Sequence, residues 1–140
     1  VSGSIMLINK EKTYEKKIKF DENILMFFEE DDFFHQCFKK NQKIYLINNL
    51  TADHFDGSIN DKTLKYECFK KWHWEWSKYY FLNKHYNKIL IFFIAAKSIF
   101  KFSLKIVFFY RFNKNKYQVY KSRLNGLLSF YFKKKCNINY

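Results

Sequence analysis

The sequence predicts an α/β chain. A first part of about 60 residues mixes short strands with one helix, and the rest is helical. Three observations predict it. Two apolar runs of strand length, Ser4–Asn9 and Lys43–Ile47, flank a segment with helical apolar spacing. From about residue 62 to 84, aromatic side chains recur at helical intervals. From Lys88 to Phe112 nearly every residue is apolar, and lysines return at four-residue steps.

Each element has its own warrant. Ser4–Asn9 is short and apolar, as a buried strand is. Lys43–Ile47 ends in Asn48 and Asn49, a turn signal. Between them Glu30–Lys40 places Phe33, Phe34, Cys37 and Phe38 on one helical face. Its acidic start suits the positive end of a helix dipole. Phe69, Trp72, Trp76 and Tyr79 form a stripe of the kind that fills a core. In the apolar stretch the longest charge-free run is eight residues, Ile89–Ala96. A spanning helix needs about 20 apolar residues, so this is no ordinary transmembrane segment. Lys97, Lys101 and Lys105 share one narrow stripe. That helix either packs on the protein or lies in a membrane interface with its lysines reaching for head groups. Tyr117–Phe132 predicts a last helix before the basic Lys133–Lys135.

Composition narrows the function classes. The 140 residues include three glycines and no proline, which argues against a β-sandwich, collagen or a Gly-rich phosphate loop. Cys37, Cys68 and Cys136 are widely spaced and odd in number. They predict neither a disulfide framework nor a zinc site. The N-terminal residues lack a secretion-signal pattern. The chain opens on Val1 and reads at once as a strand, which predicts a piece of something longer. The net charge of +13 is uneven: residues 1–75 hold 12 Lys and 13 acids, whereas residues 76–140 hold 14 Lys/Arg and no acid. A codon bias toward Lys accounts for some of the excess but not for the missing acids. The second half predicts a surface that meets an anion, either a membrane leaflet or a nucleic acid.

The chemistry-bearing segment is Phe20–Asp32, which ends in four successive carboxylates, Glu29, Glu30, Asp31 and Asp32. Like charges so close are costly unless something cationic is near. The plain reading is a solvated helix start. The functional reading is a general base or a metal neighbour. About 20 residues later stands Asp53-His54-Phe55-Asp56-Gly57-Ser58.

Five pieces in order resemble the family 2 glycosyltransferases, in particular the rhamnosyltransferase-like enzymes of bacterial surface polysaccharide synthesis. They are Gly3–Ile8, Phe20–Glu22, Phe27–Asp32, Lys43–Tyr45 and His54–Ser58. Trp72–Tyr80 and Tyr120–Leu127 resemble the helical tail of the same group. The resemblance implies the C-terminal, acceptor-side half of a GT-A catalytic domain over residues 1–60, and a basic, aromatic helical extension over 61–140. It implies transfer of a sugar from a nucleotide-sugar donor to a hydroxyl of a growing glycan or lipid-linked acceptor. By position, Glu30 falls on the catalytic base, with Glu29 beside it and Asp32 on a further acidic position that shapes the site. His54 falls on a histidine that in some members sits by the divalent metal, Mg or Mn. Asp31, Gly57 and Ser58 fall on the substrate side, and Asp21 and Glu22 on the loop before the acidic pair.

Gln36 departs from the pattern, standing where the family often has a basic residue. No Asp-x-Asp occurs in the sequence, so the metal and the donor are expected only with a donor-binding half that is missing here. The chain alone is expected to be inactive, cytoplasmic, and peripheral on the inner membrane face through residues 76–140. A non-enzymatic, membrane-peripheral protein binding anionic lipid is the alternative. A nucleic-acid binder is disfavoured, because it gains nothing from four carboxylates in a row.

Overall fold

The computed structural model describes residues 5–47, 49, 51, 63–134 and 136. Every regular element among them is a helix: α1 (Lys10–Glu15), α2 (Glu29–Lys39), α3 (Leu64–His85), α4 (Lys88–Phe112) and α5 (Lys114–Tyr131). This corrects the α/β expectation and with it the GT-A half. The runs at 5–9 and 43–47 are not strands. Leu7, Tyr45 and Leu46 stand largely exposed. The physical reason is that a strand is stable only against a neighbour in a ladder. Among the described residues nothing pairs with either run.

The helices match the periodicity closely. The α2 helix starts one residue before the expected Glu30, α4 has the expected bounds, and the aromatic stretch became α3. Their ends explain how a chain so poor in glycine and proline stops a helix. Asn9, Thr63, Asn87 and Asn113 cap α1, α3, α4 and α5 by accepting a backbone N–H of the first turn. Asn113 also closes α4, so one residue ends a helix and begins the next. At the other ends, Lys17, Asn41 and Lys133 take positive φ of 51°, 53° and 54°. After α1, Ile18 N–H donates to Thr13 O and Lys17 N–H to Tyr14 O. The same pair of bonds recurs after α2, from Gln42 to Cys37 and Asn41 to Phe38, and after α5, from Lys134 to Ser129 and Lys133 to Phe130. These are Schellman caps built without glycine.

The chain divides into two compact units. The first comprises Val1–Glu22 and Glu29–Asn60. Its core joins Ile18, Phe33 and Cys37, with Phe34 packed against them. Phe20 stacks on Phe33 with ring centroids 4.7 Å apart. Gln36 fastens residue 19 to α2: its Nε2 donates to Lys19 O at 2.9 Å, and Lys19 N–H donates to its Oε1 at 3.4 Å. Lys40 Nζ donates to the carbonyls of Lys16 and Lys17.

The second unit comprises Asn23–Phe28 and Asp61–Tyr140. Here α5 packs between α3 and α4. Tyr79, Ile91, Ala95, Phe102 and Leu127 form the core, and Leu82, Ile94, Ile99, Tyr120 and Phe130 lean on it. The α3 and α5 backbones meet at Gly126, where a Cβ would fall 2.3 Å from the Trp72 carbonyl oxygen. Only glycine permits that approach. The predicted stripe supplies the core-facing side of α3, with Trp72, Trp76 and Tyr79 all buried.

Candidate acidic site at the start of helix α2

All four predicted carboxylates lie in the first turn of α2. The helix brings them together at the end of its dipole that favours anions, but it does not treat them alike. Asp32 is fully buried and accepts a 2.7 Å hydrogen bond from Gln36 Nε2. Gln36, the departure from the family pattern, therefore links Asp32 to the Lys19 backbone.

Burial pushes the Glu29 carboxyl up from its ordinary value, and the charges of Glu30 and Asp31 push the same way. A hydrogen bond from Glu29's own backbone N–H opposes the shift. Among the described residues, one carboxylate oxygen of Glu29, Oε2, is buried without a hydrogen-bond partner. Asp31 is exposed yet also pushed up, by desolvation and then by Glu30. Glu30 is thus a source of the field on both neighbours. It is half-buried.

The backbone leading into α2 is strained. Phe27 and Phe28 have φ of 64° and 69°. For bulky residues this region costs roughly 1–2 kcal/mol each. Within the second unit, aromatic packing offsets the cost. Both rings lie edge-on to Trp74 at 5.2 Å, and Phe28 stacks on Phe81 at 5.7 Å. Ser77 Oγ donates to the Met26 carbonyl at 2.7 Å. Strain of this kind tends to persist where function requires a particular backbone path.

His54, Gly57 and Ser58 lie outside the described residues. Among the described residues no three His, Cys, Asp or Glu side chains converge on a metal position.

Sequence reasoning missed a buried polar set in the second unit. Glu75 of α3 is fully buried, and Arg123 of α5 donates to its Oε1 through Nε at 2.7 Å and Nη2 at 2.5 Å. The guanidinium also lies 4.8 Å over the Phe102 ring. A signal was available. Glu75 falls between Trp72 and Tyr79 on the core face, so it needed a cation. Arg123 is one of two arginines in a chain that otherwise uses lysine. His73, also fully buried, places Nδ1 3.1 Å from Cys136 Sγ. Desolvation pushes its pKa down from 6.5.

No family model, curated protein or solved structure matches the chain.

Proposed function

We propose that the chain takes part in glycosyl transfer, with Glu30 as general base. The reaction is transfer of a sugar from a nucleotide-sugar to a hydroxyl of a growing glycan or lipid-linked acceptor. The observation that carries this reading is the sorting of the four carboxylates. Asp32 is locked by Gln36, burial pushes the Glu29 and Asp31 carboxyls up, and Glu30 stands half-buried between them. The resemblance of Phe27–Asp32 to the family's acidic helix start points to the same residue.

In this mechanism the Glu30 carboxylate accepts the proton of the acceptor hydroxyl as its oxygen attacks the anomeric carbon. The bond from that carbon to the nucleoside diphosphate breaks, and the diphosphate leaves with the electron pair. Asp32 and Gln36 hold the first turn in place while the proton moves. Donor binding is assigned to residues outside this sequence, since it contains no Asp-x-Asp.

The test uses the protein as its gene encodes it. A panel of nucleotide-sugars is supplied with hydroxyl acceptors, and nucleoside diphosphate release is followed. Acceptor-dependent release with at least one donor supports the proposal. Release from no donor, or release indifferent to acceptor, overturns it.

A further inference from the structure

The helix α4 is buried on one side only. Ile91, Ala95 and Phe102 enter the core. On the opposite side Ile89, Phe93, Phe100, Leu104 and Val107 follow one another at helical spacing. They are 68%, 64%, 67%, 55% and 76% exposed. Five large apolar side chains in one stripe are far beyond the scattered apolar exposure of an ordinary surface. Lys97 and Lys101 run along one edge of this stripe, and Arg111 lies at its C-terminal end. All three are exposed. Lys105 turns inward instead, donating to Tyr120 OH at 2.8 Å.

We propose that this face docks on an anionic bilayer surface, with α4 lying along the interface. The inference is independent of the transfer reaction. Charge complementarity selects the occupant. Residues 76–140 contain no acid, so the cations beside the stripe have no partner of their own in that half. A second copy of the same face would bring Lys97, Lys101 and Arg111 against their like. A nucleic acid would satisfy the cations but leave Ile89, Leu104 and Val107 without a use. An anionic leaflet satisfies both: acyl chains receive the apolar stripe and head groups meet the lysines. Docking rather than spanning is required, because among the described residues no helix is long and apolar enough to cross a membrane.

The test is co-sedimentation of the full chain with vesicles of phosphatidylcholine alone or mixed with phosphatidylglycerol. Binding is expected on the anionic vesicles and is expected to weaken with salt. Lys97→Gln and Lys101→Gln should each weaken it by about fivefold. Phe93→Gln with Phe100→Gln should weaken it by at least about tenfold, at unchanged helix content by circular dichroism. If that pair disturbs folding, Leu104→Gln with Val107→Gln tests the same stripe. Equal binding to both vesicle types, no binding, or binding indifferent to the stripe overturns the proposal. So does a dimer in solution that the stripe substitutions convert to monomer.

Discussion

Replacing Gly126 by alanine sets two opposite effects against each other in one methyl group. Helix propensity alone favours alanine by about 1 kcal/mol within a helix. Against that, the new Cβ would sit 2.3 Å from Trp72 O and 3.0 Å from Trp72 C. An ordinary contact needs about 1 Å more. Both neighbours are helix backbone, so no flexible side chain can give way, and α3 and α5 must separate. Leu127 and Tyr79, both fully buried beside the crossing, then lose contacts. Overpacking of this kind costs about 1–3 kcal/mol, and a backbone clash belongs at the upper end. The expected net loss is about 2 kcal/mol. With a urea slope of about 1–3 kcal/mol per molar, the midpoint of unfolding should fall by about 1 M. Asn125→Ala, one residue earlier and exposed, is the control and should change little. If Gly126→Ala is as stable as the parent, the close crossing of α3 and α5 is wrong.

Other consequences follow from the same geometry. Arg123→Met should destabilise the second unit by about 3 kcal/mol, because it leaves Glu75 buried without its cation. Glu75→Leu with Arg123→Met should recover most of that loss in the same urea titration. His73 resists protonation in the folded state. Its stabilising contribution is therefore fully present above its ordinary pKa of 6.5 and is lost as pH falls through the lowered folded value. His73→Gln should flatten the difference in urea midpoint between about pH 7.5 and about pH 5.5. Lys17→Gly and Lys133→Gly should each raise the melting temperature, by relieving about 1 kcal/mol at a left-handed cap.

What the sequence revealed was local. The long helices were legible because their apolar spacing repeats over several turns. The bounds of α4 follow from Asn87 and Asn113, which flank an apolar run. The acidic first turn of α2 was legible for the same reason, being four adjacent letters. The apolar runs at 5–9 and 43–47 were misread as strands because pairing is a property of two segments, and the sequence displays only one at a time. The three left-handed caps were hidden because lysine and asparagine stand where glycine would have signalled them. Within the site, spacing alone does not tell Asp32 from Glu30. Their difference comes from Gln36, one turn beyond Asp32, and from the Lys19 backbone, 17 residues before Gln36. The Glu75–Arg123 pair lies 48 residues apart in the chain and became evident only where α3 meets α5.

As the proposed general base, Glu30 would take the acceptor's proton. Steady-state kinetics of the gene-encoded protein carrying Glu30→Gln test it most directly, with Glu30→Asp as the conservative companion. The account predicts that Glu30→Gln lowers kcat by about 10²–10⁴-fold with the donor KM nearly unchanged, and that Glu30→Asp keeps most of the rate. A Glu30→Gln protein that turns over like the parent would contradict it.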